Sequence, residues 1–299
     1  MKKKLSAKLF TPLLSAGLAL VLTACGSAAA ASSAAAQSTG QPESAGEAAV
    51  TTITFGYRNT GAWPVYGQDD NGEPTGYDIE VLRLVDEALP GYEFEYVGTS
   101  YEDVYVGIEA GNFDGALTNA FWTEERAKKY LIPEENIGAS VLILGVRNEN
   151  ADIKNLADLS ASGLKLAPIL AGNGMYYVVK SYNESNPNQQ VEITTTDNAT
   201  FVAGSVEELA AGRYDAIIDT KPQWEANFTA EDGVNHTFFD QVSYSEFDLA
   251  LTYPLFNQSV GEDFVKEFSD ALKSVKDSGK ASELSIEFLG YDIFNYEFK

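Results

Sequence analysis

"AGNFDGALTNAFWTEERAKKYLIP", residues 110–133, sets the pattern for the chain. Gly111 reads as a helix stop, "FDGALT" as a strand, and Thr123 as the N-cap of a second helix, with Glu124 and Glu125 behind it. Much of this recurs downstream in "VEELAAGRYDAIIDT" (206–220), where Gly111-Asn112-Phe113-Asp114 is echoed by Gly212-Arg213-Tyr214-Asp215. Both stretches run helix, glycine, one residue, an aromatic, aspartate, then a small-and-apolar strand. Two lobes of one layout are the simplest account. Arg126 breaks the local rule, because the amide end of a helix carries partial positive charge and disfavours a cation in the first turn.

Around the first copy, "TITFGYR", "YEFEYVG" and "FDGALT" read as strands. They alternate with the helices "GYDIEVLRLVDEAL", capped by Asp78, and "SYEDVYVGIEAG". This βαβαβ series predicts a parallel sheet with helices on both faces. Around the second copy, "LKLAPI", "QVEITTT" and "YDAIID" read as strands. "MYYVVKSYNES" and "SVEELAAG" read as helices, the latter with a capping box of Ser205 and Glu208. The apolar stretches "SVLILGV" (140–146) and "EFDLALTY" (246–253) lead into and out of the second series. One long helix, "GEDFVKEFSDALKSVKDSGK", follows, then "ELSIEFLGY". If the C-terminal part rejoins the first lobe, two strands form a hinge and the cleft between the lobes is the natural ligand site.

Composition excludes several function classes. The 299 residues carry a formal net charge of −24, which repels nucleic acid and anionic lipid. The single Cys25 rules out an intrachain disulfide and a multi-cysteine metal site, and the single His236 rules out a histidine-rich one. His236 lies in "EDGVNHTFFD", a turn-like stretch without a serine motif, and reads as a surface or capping residue. No cofactor or metal is expected. "MKKKLSAKLFTPLLSAGLALVLTAC" has the basic start and short apolar run of a secretory signal. Its end, Leu22-Thr23-Ala24-Cys25, resembles the bacterial lipoprotein processing box, which implies cleavage before Cys25 and lipid on its thiol. Removing residues 1–24 takes away four lysines and no acids, leaving 16 basic against 44 acidic residues, net −28. Ala, Ser, Gly and Gln then predominate to about Ala49, the composition of a flexible tether. Five N-x-S/T sequons, beginning at Asn183, Asn198, Asn227, Asn235 and Asn257, carry little meaning in such a protein.

From about Ile53 to Asp292 the chain resembles the family 3 extracellular solute-binding proteins, the amino-acid receptors of ABC importers. The carriers are "GYDIEVLRLVDEAL", "AGNFDGALTNAFWTEERAKKYLIP", "ADIKNLADLSASGLKLA", "AAGRYDAIID" and "DALKSVKDSGKASELSIEFLG". No single motif is decisive; their order and spacing are. The resemblance implies a two-lobed α/β fold of the type II periplasmic-binding-protein kind with a two-strand hinge. The expected boundaries are 1–24 for the signal, 25–50 for the tether, 51–143 for lobe 1, 144–247 for lobe 2 and 248–299 for the return to lobe 1. It also implies a monomer, lipid-anchored on the extracytoplasmic face, that serves a membrane permease.

The resemblance assigns roles residue by residue. Thr123, Glu125 and Arg126 match the family's T-x-E-R pattern, whose arginine holds the ligand's α-carboxylate, a match for a guanidinium fork. Gly172-Asn173-Gly174, between a strand and a helix, would complete that grip with backbone amides. Asp219, at a strand's C-terminal end, would take the α-ammonium, although the copy is about one residue shorter than the pattern. Arg58, at the end of the first strand, fits members that bind acidic amino acids, and Trp63 would be a cleft wall. The chain departs from the family where Phe121 replaces a small hydroxyl residue, where Asn119 stands near a usual glycine, and where "PILAG" lacks a lysine. The side-chain pocket is therefore unusual. Two readings compete with a binding protein for import: a dehydratase-like enzyme on the same fold, drafting Glu124, Glu125 or Asp219 as acid, and a sensory receptor without transport.

Overall fold

A computed structural model describes residues 50–59, 63–170, 172–197 and 205–298. Strand β1 (Thr51–Arg58) buries Ile53, Phe55 and Tyr57, the alternation of a sheet face. A short hairpin, β2 (Gly67–Gln68) and β3 (Pro74–Thr75), leads into helix α1 (Tyr77–Glu87). Asp78 does not cap this helix. Gly76, at φ 114°, precedes it, and an added Cβ there would lie 2.7 Å from the Tyr66 Cα. The Tyr77 and Asp78 amides donate to the Pro64 and Val65 carbonyls at 2.9 and 2.8 Å. First-turn donors are thus satisfied by backbone, the helix starts earlier than expected, and Asp78 falls inside it, only 2% exposed.

Strand β4 (Tyr92–Thr99), helix α2 (Tyr101–Ala110) and strand β5 (Gly115–Phe121) follow. Ser100 caps α2, and Gly111, the helix stop read from the sequence, ends it in the left-handed region. Helix α3 (Glu124–Lys129) begins at Thr123, whose Oγ1 accepts from the Arg126 amide at 3.1 Å. Strand β6 (Gly138–Arg147) then carries the chain into the second lobe.

That lobe holds α4 (Leu156–Ser162), β7 (Ile169–Leu170), α5 (Gly174–Ser185), β8 (Thr195–Thr196), α6 (Ser205–Ala210), β9 (Ala216–Thr220) and α7 (Lys221–Trp224). The expected strands "LKLAPI" and "QVEITTT" shrink to the two-residue pair β7–β8 and a bridge between Leu166 and Ala216. Between 191 and 197 only Val191 is buried, so there is little to hold a longer strand against the core. Strand β10 (Val242–Phe256) returns, and α8 (Glu262–Asp277) and α9 (Lys280–Leu289) complete the described chain. The long helix expected here is α8, and "ELSIEFLGY" falls in the separate α9, the two divided at Gly279, at φ 84°.

Six strands form one sheet in the order β4-β1-β5-β10-β6-β9. It is not parallel throughout. Only β4-β1-β5 is; β10 runs antiparallel to both β5 and β6, and β6 to β9. The outgoing and returning strands run side by side in opposite directions, which a purely alternating βα reading does not anticipate. Phe268, Leu272 and Ala281 of the C-terminal helices share a core with Ile53, Phe55 and Leu82, while Leu144, Leu159 and Val179 centre another. The architecture is two α/β lobes joined by β6 and β10.

Candidate functional site

Three charged residues meet between the lobes at strand and helix ends. Arg58 closes β1 and is half-buried, with no hydrogen bond or ion pair among the described residues. Asp219 lies near the end of β9, on the other lobe, opposite Ile143 of β6. Its Oδ1 accepts from the Thr220 amide at 2.7 Å. Burial pushes its pKa up to about 7, and the Thr220 N–H and the Arg58 guanidinium pull against that rise. Opposite charges on the two lobes therefore sense each other without touching.

Tyr101 stands at the start of α2, just past β4. Burial and then Tyr105 raise its pKa, and both Arg126 and Arg58 pull it down. Arg126 itself is buried at 8% exposure, not open to the cleft as a surface arginine would be. Its Nη1 donates to the Phe121 carbonyl at 2.7 Å, and no ion pair satisfies its charge among the described residues. A buried guanidinium with spare donors and no carboxylate suits an anionic ligand.

Phe121 and Gly174 are in contact across the lobes. Phe121 ends β5 on lobe 1, yet its ring belongs to the lobe-2 core, and a Cβ added to Gly174 would sit 2.4 Å from it. Only glycine fits there. Tyr177, one turn along α5, donates to the Glu125 carboxylate of α3, and that bond pushes the Tyr177 pKa up to about 12. Asn119 adopts φ 52°, the one left-handed non-glycine among the described residues, and bonds with Ser140 of β6 at 2.9 Å. Its backbone takes a glycine-like conformation, and asparagine is among the few side chains that tolerate it.

The remaining expected residues are placed less directly. Trp63 stacks edge-on against Tyr66 at 4.5 Å and packs on the lobe-1 core; its buried Nε1 has no partner among the described residues. Burial and then Asp78 raise the Tyr66 pKa, and Arg58 pulls it down. Gly172 is left-handed, and a Cβ added there would meet nothing within 4 Å. Asn173 spends its Oδ1 on capping α5 through the Met175 amide at 2.8 Å, and its own amide donates to the Leu170 carbonyl. One amide of the expected oxygen-binding loop, that of Asn173, is thus used internally. Cys25 lies outside the described residues. A groove of about 740 Å³ lies beside the cleft, with Phe121 and Gly174 on its wall but none of Arg58, Arg126 and Asp219. Among the described residues no cluster of three His, Cys, Asp or Glu is placed to hold a metal. Tyr101 and Tyr177 do not stand out in the sequence; the available signal for Tyr101 is its place just past a strand's C-terminal end.

The family description of the bacterial extracellular solute-binding proteins, family 3, matches residues 53–291. The L-cystine-binding protein TcyK of Bacillus subtilis is 28% identical, with 92% of this chain and 93% of that protein aligned. A probable amino-acid ABC transporter-binding protein of Haemophilus influenzae is also 28% identical, over 81% of this chain and 86% of its own length. Among solved structures, a putative L-cystine ABC transporter protein from Listeria monocytogenes is 28% identical at a TM-score of 0.58, covering 83% of this chain and all of that one. These relatives are binding proteins of importers, not enzymes. An ancestral amino-acid-binding protein described as a precursor of cyclohexadienyl dehydratase, 21% identical at a TM-score of 0.55 over 79% of this chain and 94% of that one, shares the fold alone.

Proposed function

The chain belongs to the bacterial extracellular solute-binding proteins of family 3, and on that premise we propose that it captures an amino acid with a second polar or anionic group, of the L-cystine kind. Arg126 holds the α-carboxylate, Asp219 the α-ammonium and Arg58 the group at the far end. Trp63, Tyr101, Phe121 and the 172–174 loop wall the cleft, with Asn119 setting the backbone beside it. The observation that supports this reading is the placement of Arg58 and Asp219 on opposite lobes, close enough for the Arg58 guanidinium to oppose the burial-driven rise of the Asp219 pKa, with the buried Arg126 at the start of α3 left without a carboxylate partner among the described residues. Two B. subtilis relatives named as L-cystine-binding proteins support the ligand class. Lobe 1 runs from 51 to 143 and again from 248, and lobe 2 from 144 to 247, so both boundaries fall within β6 and β10. The protein is a monomer held to the membrane by lipid on Cys25, handing its ligand to an ABC permease.

A thermal-shift panel tests the ligand class. A binder at a thousandfold excess over its dissociation constant adds about 4 kcal/mol to stability. L-Cystine, glutathione, glutamate or glutamine is expected to raise the melting point, and Arg58→Ala to abolish that rise. Stabilisation by lysine, arginine or ornithine alone would overturn the role of Arg58.

A further inference from the structure

Beyond the cleft, the C-terminal segment makes a grip on lobe 2 that the binding reading leaves unused. Lys221, two residues past Asp219, is 8% exposed. Its Nζ donates to Glu246 Oε1 at 2.7 Å and to the Tyr296 hydroxyl at 2.8 Å. It also lies 4.9 and 5.3 Å from the ring centres of Tyr291 and Tyr296. Both tyrosines follow α9, a helix whose Ala281 sits in the lobe-1 core. Tyr291 and Tyr296 pack edge to face at 5.0 Å, and Phe298 against Tyr296 at 5.7 Å. Glu225 Oε1 lies 3.8 Å from the same Nζ, and an ammonium caged by two aromatic faces, a hydroxyl and two carboxylates is held by charge and geometry together.

The placement of Glu246 gives the cage its consequence. Ile143 of β6 is paired with Asp219 of β9 on one side and Glu246 of β10 on the other. The candidate ligand acid and the partner of Lys221 thus stand in one row across the hinge strands. Beside the cage lies a cavity of about 270 Å³ lined by Lys221, Trp224 and Glu246, so dense packing does not fix this corner.

We propose that residues 291–298 form a strap that ties lobe 1 to lobe 2 through Lys221, limits hinge opening, and positions Asp219 for its ligand. Lys221 and Tyr296 are positioning residues and touch no ligand. The strap's effect on opening is independent of what the cleft binds; only its effect on affinity rests on the proposed function.

Spin labels at Glu287→Cys on lobe 1 and Glu207→Cys on lobe 2, both exposed positions, in a full-length Cys25→Ser background, report lobe separation by electron–electron resonance without ligand. Lys221→Met is expected to lengthen and broaden the distance distribution, and Lys221→Arg to restore it. Deletion of residues 296–298 leaves Lys221 its carboxylates, Glu246 and Glu225, guards against misfolding of the Met variant, and should broaden the distribution as well. With L-cystine as probe, the deletion should weaken affinity about tenfold. A distribution unchanged by the deletion overturns the strap, whatever the ligand. A widened distribution with no L-cystine binding by any form, the parent included, keeps the strap and overturns the ligand reading. Widening with full affinity retained overturns the positioning of Asp219.

Discussion

Two aspartates at the residue scale have carboxyls whose protonation is set by burial. Asp219 has its pKa pushed up to about 7, and a ligand ammonium requires its ionised form. Below about pH 7 a proton must leave before the ligand binds, so the dissociation constant should rise about tenfold per pH unit, and level off above that value. Calorimetry between pH 5 and pH 9 checks this, and Asp219→Asn should bind weakly with no such slope. Asp78 is a separate case, deep in lobe 1, with burial raising its pKa to about 8 from 3.8. The folded state then holds a proton that the unfolded chain has released over that interval. The contribution is fully present below about pH 4 and is lost as pH rises through about 8. Thermal melts should therefore show stability falling toward alkaline pH, with a shallower fall in Asp78→Asn. A variant with the parent's slope would assign the effect to another group. In the sequence Asp78 reads as a helix cap, yet the start of α1 is set by a glycine at φ 114° and two carbonyls from the preceding loop. A distant backbone acceptor leaves no mark in the local pattern.

The two lobes meet tightly where β5 faces the start of α5. The Phe121 ring rests on Gly174, and Tyr177 of α5 reaches Glu125 of α3, so the contact between the lobes runs through the first turn of α5. Gly174→Ala drives a methyl group to 2.4 Å from the ring, and overpacking of this kind costs about 1–3 kcal/mol. That strain should appear as weaker ligand binding more than as lost stability, because an open hinge relieves it. Phe121→Ala should rescue Gly174→Ala, a non-additivity that a double-mutant cycle measures. Additive effects would place the two residues apart. The elements themselves were largely legible. "TITFGYR" read as the strand that β1 is, and the glycine stop marked the end of α2. The weakly buried stretch at 190–196 misled, since β-branched threonines there face solvent and add only two residues of strand. The partners of the site were less legible than its members. Arg58, Arg126 and Asp219 can be named from motif and strand ends, but the Phe121–Gly174 contact depends on how the lobes meet.

The whole molecule's charge bears on how it stays at its membrane. With residues 1–24 removed the chain carries a net −28, and anionic lipid repels such a surface. Screening confines that repulsion to about 8 Å at physiological ionic strength, so it neither holds the protein at the membrane nor drives it far away. Among the described residues no helix is long and apolar enough to cross a membrane. In the function proposed above, retention belongs to Cys25, the single cysteine of the sequence, at the end of Leu22-Thr23-Ala24-Cys25. Lipid anchoring is an apolar interaction and should resist salt, whereas adsorption by charge would be stripped by it. Membranes washed in high salt should therefore retain the parent protein, and Cys25→Ser should shift it to the soluble extracytoplasmic fraction with its ligand-dependent thermal shift intact. Equal retention of parent and variant after the wash would overturn the lipid anchor, and salt-dependent loss of the parent would replace it with surface adsorption.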